Sequence, residues 1–288
     1  MASPKHLVIA LCPFLGFGDR PANLLGHPYA LARTALRNAV RRVAPSVPSG
    51  PLLDVGCGTM PYRALFPRAE PYEGLEIDQE RNRGHPHATH IYDGNTFPLP
   101  AGHYAAILCS QVLEHSFTPE QLLAECHRVL RPGGVLLLTI PFLWPEHEQP
   151  WDSQRMTRFG LGRRLEAAGF RVERMLRLNP GPSALLQLAI EWNESLERRL
   201  GARLPAGWPR RFLQLSWRLL WALPYSALNG LGVLARALAG PDVDGWPGVI
   251  ADGRPTALRG WGAELYLDLV VLASKPDPAG SPPMAPLP

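Results

Sequence analysis

Blocks of apolar residues alternate with helical patterns between residues 52 and 140. Residues 135–140 form a continuous apolar run that is typical of a buried strand, and residues 120–130 place apolar side chains at helical intervals. Residues 52–55 and 105–109 are further short, mainly apolar runs. Strands that alternate with helices in this way are typical of a parallel sheet with helices on both faces. The pattern therefore predicts an α/β fold.

The first predicted strand ends in an acid and a Gly-x-Gly turn, with the sequence DVGCGT at residues 54–59. Glycine has no Cβ and tolerates positive φ, so such a turn lets a ligand approach the backbone closely. A dinucleotide-binding fingerprint has a third glycine where this chain has Pro61. The turn therefore predicts a ligand that carries no pyrophosphate, which argues against a nicotinamide dehydrogenase.

The DVGCGT run resembles motif I of the class I S-adenosylmethionine-dependent methyltransferases. Later segments resemble the same family in order and spacing: GLEID at 74–78, YDGNTFPLP at 92–100, QVLEH at 111–115, and a helix, LRPGG turn and apolar strand over 120–140. Ala105 departs from the family, which commonly has an acid there. The resemblance covers about residues 45–175. It implies a Rossmann-like, seven-stranded, mostly parallel sheet whose last two strands form an antiparallel pair at one edge.

The same resemblance implies S-adenosylmethionine as the cofactor. It favours Glu76 for the ribose hydroxyls, with Asp78 as the alternative, and a solvated acid at the strand end is the simpler interpretation of either residue. Asp93 matches the acid that accepts a hydrogen bond from the adenine amino group, although Asp-Gly is also a common turn pair. The predicted cofactor-binding set is Asp54, Gly56, Cys57, Gly58, Glu76, Asp78, Asp93, Gly94 and Gln111.

The acceptor side is predicted after the fifth strand, because ligands of open α/β sheets bind beyond the carboxyl ends of the strands. Residues 141–159 resemble a segment of methyltransferases from glycan and secondary-metabolite pathways. The sulfonium donor is already activated, so positioning supplies much of the rate, and an oxygen or nitrogen nucleophile also gains from a base. His147 and His115 are the candidate bases, and Asp152 could orient or replace either. Alternatively, His115 caps the following helix and Asp152 is the N-cap of a helix over 155–165.

Composition limits the partners and the location. A net charge of +4 over 288 residues is mild, and no basic stripe marks the catalytic domain, so a nucleic-acid acceptor is not predicted. The four cysteines show no C-x-x-C spacing, so neither a zinc site nor a disulfide framework is predicted, and no metal ligands are assigned. The apolar run at 7–17 contains Pro13 and lacks a small-x-small cleavage site, so it is not predicted to be a signal peptide. A cytoplasmic location is expected.

Residues 177–262 form a predicted helical insertion before the last strand, far longer than a hairpin connection. Within it, residues 183–200 have an amphipathic helical pattern, and residues 208–240 carry arginines but no acids. The uncharged stretch Leu219–Ala235 contains Pro224 and is shorter than the roughly 20 residues that a membrane span needs. A lid or dimer surface is favoured, with peripheral membrane contact through 208–240 as the alternative.

The chain is predicted to be organised as an N-terminal segment 1–44, a cofactor-binding core 45–176, the helical insertion 177–262, a final edge strand 263–275 and a disordered tail 276–288. We predict an S-adenosylmethionine-dependent methyltransferase that methylates oxygen on a small-molecule, saccharide or lipid-linked acceptor. The alternatives are a cofactor-binding protein without catalysis, transfer to nitrogen or carbon, and a protein acceptor. The sequence does not predict the oligomeric state.

Overall fold

In a computed structural model of the chain, residues 27–79, 86–239 and 265–278 are described. The apolar run at 7–17, residues 240–264 of the predicted insertion and residues 279–288 of the predicted tail lie outside this set. The chain divides into two compact units. Of the described residues, 27–35, 179–239 and 265–266 belong to the first unit and the others to the second.

The second unit contains a seven-stranded sheet with the order β3-β2-β1-β4-β5-β7-β6. Its strands are β1 Gly50–Val55, β2 Ala69–Ile77, β3 His90–Tyr92, β4 Tyr104–Ser110, β5 Leu130–Pro141, β6 Arg171–Leu178 and β7 Asp268–Ser274. The first five strands pair in parallel, and β7 pairs antiparallel with β5 and with the edge strand β6. This topology confirms the predicted mostly parallel sheet with an antiparallel pair at its edge.

The long helices of the described residues are α1 Ala30–Val43, α2 Pro119–Val129, α3 Arg158–Ala167, α4 Pro182–Ala202 and α5 Trp208–Ala239. Helices α2, α3 and α4 lie within a few residues of helices that the sequence pattern predicts. Helix α5 continues through Pro224. No helix of the described residues combines the length and the apolar content that crossing a membrane requires.

One boundary differs from the prediction. The LRPGG segment was expected to be a turn before a strand at 135–140, but β5 already begins at Leu130. The Gly133 N–H donates to the Lys275 carbonyl at 3.0 Å, and the Lys275 N–H donates to the Gly134 carbonyl at 2.9 Å. These bonds extend the ladder between β5 and the chain after β7. The local Pro-Gly-Gly signal ended the helix as expected but did not end the sheet.

The central strands are buried on both faces, and this burial positions the site. Leu53 of β1, Leu136 of β5 and Leu269 of β7 are fully buried. Val55 at the end of β1 pairs with Cys109 near the end of β4, and the next residue of β4, Ser110, pairs with Thr139 of β5. Because these strands are parallel, the residues that follow β1, β4 and β5 emerge at the same edge of the sheet.

Candidate active site

The glycine turn follows β1 and is closely packed on one side. Gly56 has φ +65° and donates its N–H to the Leu75 carbonyl at 2.8 Å. A Cβ added at Gly56 would lie 2.4 Å from Cγ2 of Val112, in the loop after β4. Gly58 has φ +45°, and a Cβ there would meet no described atom within 4 Å. The turn is therefore tight at its first glycine and open at its second.

Glu76, the second-last residue of β2, lies against this glycine turn. Its carboxylate is mostly buried, and its Oε1 accepts the Gly58 N–H at 2.7 Å. Asp78 is exposed, and its N–H donates to the Tyr92 carbonyl at 2.7 Å. The structure thus brings together Glu76 and the turn, which lie 18 residues apart in the chain, as the spacing predicts.

Asp54 and Cys57 are buried within the turn region. Asp54 is 3% exposed, and its Oδ2 accepts a hydrogen bond from the Tyr72 hydroxyl at 2.6 Å. Burial raises the pKa of Asp54 to about 7, against the opposing effect of that hydrogen bond. Burial also raises the pKa of the Cys57 thiol to about 12, so this cysteine is no nucleophile at neutral pH. Both side chains contribute packing to the turn.

Asp93 and Gly94 form a turn after β3. Asp93 Oδ1 accepts the N–H groups of Asn95 and Thr96 at 2.8 and 2.9 Å, and these bonds lower the pKa of the exposed carboxyl. Gly94 has φ +91°. The simpler interpretation of Asp93 as a turn residue is therefore correct, and its contact with adenine stays a prediction.

Gln111, the residue after β4, connects strands of the sheet. Its backbone has φ +58°, and its N–H donates to the Thr139 carbonyl at 2.9 Å. Its side-chain amide donates to Thr139 Oγ1 at 3.2 Å and also bonds to Asp268 of β7. Gln111 therefore holds the loop that carries Val112 against the glycine turn.

The three predicted catalytic residues lie together in the second unit. The rings of His115 and His147 are edge to face, with their centroids 4.9 Å apart. His147 Nδ1 lies 3.0 Å from Asp152 Oδ2. Burial alone would raise the pKa of Asp152, but hydrogen bonds from Arg155 and from the His147 N–H lower it to about 2. Burial lowers the pKa of His115, so its imidazole is neutral at pH 7.

Two structural alternatives from the sequence are wrong. Helix α3 begins at Arg158, and its N-cap is Thr157, whose Oγ1 accepts the Gly160 N–H at 3.2 Å, so Asp152 caps no helix. His115 ends a short 3-10 turn, and the N-cap position of α2 belongs to Thr118. Helix α3 begins three residues after the predicted position 155, and the N-cap of α2 lies three residues after His115.

Two buried acids in this region were not assigned a role from the sequence. Glu114 is fully buried, and neither of its carboxylate oxygens has a hydrogen-bond partner among the described residues. Asp268 of β7 is 3% exposed, and its Oδ2 also has no hydrogen-bond partner among the described residues. Burial raises the pKa of Glu114 to about 8 and that of Asp268 to about 7. An acid inside the apolar run of β7 was the sequence signal that could have identified Asp268.

Comparison with known proteins decides the family. Residues 29–174, about half of the chain, match the model of a methyltransferase domain family. The chain belongs to this family. Membership confirms the resemblance to class I S-adenosylmethionine-dependent methyltransferases and, with it, S-adenosylmethionine as the cofactor.

The chain is similar to two curated proteins. It is 34% identical over 136 residues to a "Probable S-adenosylmethionine-dependent methyltransferase" of Mycolicibacterium smegmatis, covering 42% of this chain and 52% of the relative. It is 28% identical over 116 residues to the malonyl-[acyl-carrier protein] O-methyltransferase of Alcanivorax borkumensis, covering 36% of this chain and 39% of that protein. The matches thus span about half or less of the length of these relatives.

A solved S-adenosylmethionine-dependent methyltransferase from Mesorhizobium loti is 16% identical, with a TM-score of 0.46 and coverage of 86% of this chain and 98% of that one. At this level of similarity the comparison says nothing about the acceptor.

The glycine turn of this chain fits a methionine-derived cofactor. The backbone of Gly58 is in the left-handed region, and the space that a Cβ would occupy there is open. A carboxylate, Glu76, lies beside it within reach of a sugar. When bound, S-adenosylmethionine supplies an electrophilic methyl group on a sulfonium ion.

Proposed function

We propose that this methyltransferase transfers the methyl group of S-adenosylmethionine to an oxygen atom of a small-molecule, saccharide or lipid-linked acceptor. The observation that carries the proposal is the position of the cluster of His115, His147 and Asp152. Its members follow β4 and β5, and the glycine turn follows β1, so all emerge at the carboxyl edge of the sheet. The contact between Gly56 and Val112 joins these loops.

The cofactor is held by the turn and by the acids near it. In the proposal, the backbone of Gly56, Cys57 and Gly58 lies along the methionine part, and Glu76 accepts the ribose hydroxyl protons. The support for Glu76 over Asp78 is its bond to the Gly58 N–H, which puts its carboxylate beside the turn. The remaining predicted residues, Asp54, Asp93, Gly94 and Gln111, would support the turn or reach the adenine ring.

The histidine cluster would receive the acceptor. Methyl transfer needs the attacking oxygen held in line about 3 Å from the methyl carbon. His147 is oriented by Asp152, which also binds the His147 N–H at 3.0 Å and pairs with Arg155. An imidazole that is oriented in this way can accept the proton of a hydroxyl group. An oxygen acceptor is therefore the class that this cluster suits.

The first unit supports a lipid-linked acceptor, because its helices expose many large apolar side chains while several of their acidic and amide side chains are buried. In α4, Trp192 is 69% exposed, whereas Glu191 and Glu197 are buried. Glu191 pairs with Arg198, and Glu194 accepts the Tyr225 hydroxyl at 2.7 Å. The exposed large apolar residues of the two helices are Leu185, Trp192, Leu196, Leu200, Trp208, Phe212, Leu215, Leu219, Leu220, Leu223, Leu231 and Leu234.

Charge makes an anionic lipid surface the partner that this apolar face suits best. Helix α5 carries Arg210, Arg211 and Arg218 and no acidic residue. A helix with exposed apolar residues and arginines can lie in a membrane interface. Its apolar residues are then buried among the lipids, and its arginines are attracted to anionic headgroups. We therefore include peripheral lipid contact through 208–240 in the proposal.

Methyl transfer tests the proposed function directly. We expect the purified protein, incubated with methyl-labelled S-adenosylmethionine and cell extracts, to place label on oxygen of an acceptor in either the aqueous or the lipid phase. The His147→Asn variant should lower kcat by about 100-fold or more, because general base catalysis contributes that much, while cofactor affinity stays unchanged. His103→Asn, an exposed histidine outside the cluster, is the matched control.

Label on nitrogen or carbon would contradict the oxygen assignment. Cofactor binding without transfer to any fraction would favour the cofactor-binding protein without catalysis. Equal activity of His147→Asn and the wild type would remove His147 from the mechanism.

Vesicle flotation tests the lipid contact. We expect the protein to float with vesicles of anionic phospholipid and not with neutral ones, and to be released by high salt. Leu219 and Leu223 are 68% and 81% exposed, so the double substitution Leu219→Ser and Leu223→Ser should abolish flotation without unfolding the chain. Ile91→Ser, at an apolar position of β3 that is 40% exposed, is the control. A protein that stays unbound with both lipids would contradict the contact and leave a soluble acceptor.

A further inference from the structure

We propose that Glu114, His115 and His147 bind a divalent transition-metal cation, and that the acceptor hydroxyl completes its coordination. Each of the three side chains offers one ligand atom, and these atoms lie within 4.8 Å of one another. Two imidazoles and one carboxylate suit zinc, manganese, cobalt or iron. The acceptor part of this inference rests on the proposed function, whereas the binding of the cation does not.

The carboxylate of Glu114, which has no hydrogen-bond partner among the described residues, points to a ligand. Glu114 is fully buried, and its Oε1 lies 3.7 Å from His115 Nε2, too far for a hydrogen bond. His115 Nδ1 is also buried without a hydrogen-bond partner among the described residues. Buried polar groups are normally satisfied, so adjacent unsatisfied ones on two consecutive residues need an explanation. A bound cation supplies it, since it satisfies the carboxylate and an imidazole together.

Asp152 contacts one ring nitrogen of His147, as a carboxylate commonly does for a metal-binding histidine. His147 Nδ1 lies 3.0 Å from Asp152 Oδ2, which leaves Nε2 as the ligand atom. A carboxylate on the far nitrogen of a histidine fixes the orientation of the ring and makes it a better ligand. Asp152 is in turn held by Arg155 and by the His147 N–H. Asp152 is therefore a positioning residue for the proposed site.

The charges around the cluster favour a dication. Arg155 lies close enough to act electrostatically on Glu114, and it is paired with Asp152. Glu114 itself and Asp268 are two further carboxyl groups in the same surroundings. With Asp152, the region holds three carboxyl groups and one arginine, a set of charges that suits a divalent cation.

The cation would activate the acceptor oxygen. Three protein ligands leave coordination positions open, as in catalytic metal sites. A hydroxyl group bound there has a lowered pKa and loses its proton to water. Its oxygen then attacks the methyl carbon: the C–O bond forms as the C–S bond breaks, and sulfur keeps the electron pair. The products are a methyl ether and S-adenosylhomocysteine. With the cation bound, His147 acts as a ligand, which replaces the general-base role that the proposed function gives it.

Titration of the chelator-treated, full-length protein with Mn²⁺ and with Co²⁺ tests the site, followed by electron paramagnetic resonance and visible absorption. We expect one equivalent per chain. Glu114→Gln and His147→Ala should each weaken binding by about 100-fold or more, and Asp152→Asn by about 10- to 100-fold, the range for residues that hold a metal ligand. His103→Ala should bind as the wild type does. Binding of S-adenosylmethionine by each variant verifies that it is folded.

The outcomes separate this inference from the proposed function. No stoichiometric binding, or binding that Glu114→Gln and His147→Ala leave unchanged, overturns the metal site. Full transferase activity after removal of metal by a chelator overturns its role while the methyltransferase assignment stands. Cation binding at these residues without methyl transfer to any acceptor supports the site and contradicts the function.

Discussion

Replacement of Glu76 by glutamine is expected to weaken the binding of S-adenosylmethionine by about 100-fold or more. The carboxylate lies at the end of β2 beside the glycine turn, where it accepts the Gly58 N–H at 2.7 Å. Hydrogen bonds from ribose hydroxyls to a charged carboxylate are worth about 1.5–3 kcal/mol each, and about 1.4 kcal/mol is a factor of ten in affinity. Glutamine keeps the shape and an oxygen for Gly58. Isothermal calorimetry measures the change.

Asp78→Asn is the matched control, because Asp78 is two residues away and exposed. We expect its affinity to stay within about threefold of the wild type, since screened surface charges contribute little. The reverse result, a large loss for Asp78→Asn and none for Glu76→Gln, would show that Asp78 binds the ribose. Unchanged affinity in both variants would contradict the assignment of a ribose-binding acid to this strand end.

The Gly56→Ala substitution is expected to destabilise the protein by about 3 kcal/mol and to reduce cofactor affinity strongly. The left-handed backbone at φ +65° costs a residue with a Cβ about 1–2 kcal/mol. The new Cβ would also lie 2.4 Å from Val112 Cγ2, and overpacking of this kind costs about 1–3 kcal/mol. The turn must move to relieve the contact, which displaces the backbone beside the cofactor. Urea unfolding and calorimetry measure the two effects.

Gly102→Ala separates the two causes. Gly102 has φ +68°, nearly the same as Gly56, but its Cβ would meet no described atom within 4 Å. We expect a loss of about 1 kcal/mol and unchanged cofactor binding, so the difference between the variants measures the contact with Val112. Adding Val112→Ala to Gly56→Ala should restore part of the stability. Equal effects of the two glycine substitutions would contradict a close approach at Gly56.

The local pattern of apolar and polar residues was sufficient to predict most of the sheet. Continuous apolar runs and helical intervals located the central strands and helices, since strands buried on both faces admit only apolar side chains over several residues. The LRPGG segment shows the limit. Proline and glycine end a helix for local reasons, but whether the extended chain pairs depends on a distant partner. That partner is Lys275, after the last strand.

The amphipathic pattern of α4 shows a second limit. Helical spacing predicts that one side of residues 183–200 differs from the other, but not which side faces solvent. The structure buries Glu191 and Glu197 and exposes Trp192, and the buried Glu191 carboxylate pairs with the half-exposed Arg198. Which side faces inward was therefore decided by contacts that the spacing does not contain.

The sequence by itself determined the sheet, the glycine turn and the choice of four candidate site residues, because motif and spacing are local properties of the chain. These candidates are Glu76, His115, His147 and Asp152. Only the tertiary structure showed that the two histidines face each other beside the unpaired carboxylate of Glu114, and that Asp268 lies buried in the same surroundings. These residues follow or belong to different strands, and hydrogen-bond partners and burial are decided only when the strands are placed side by side.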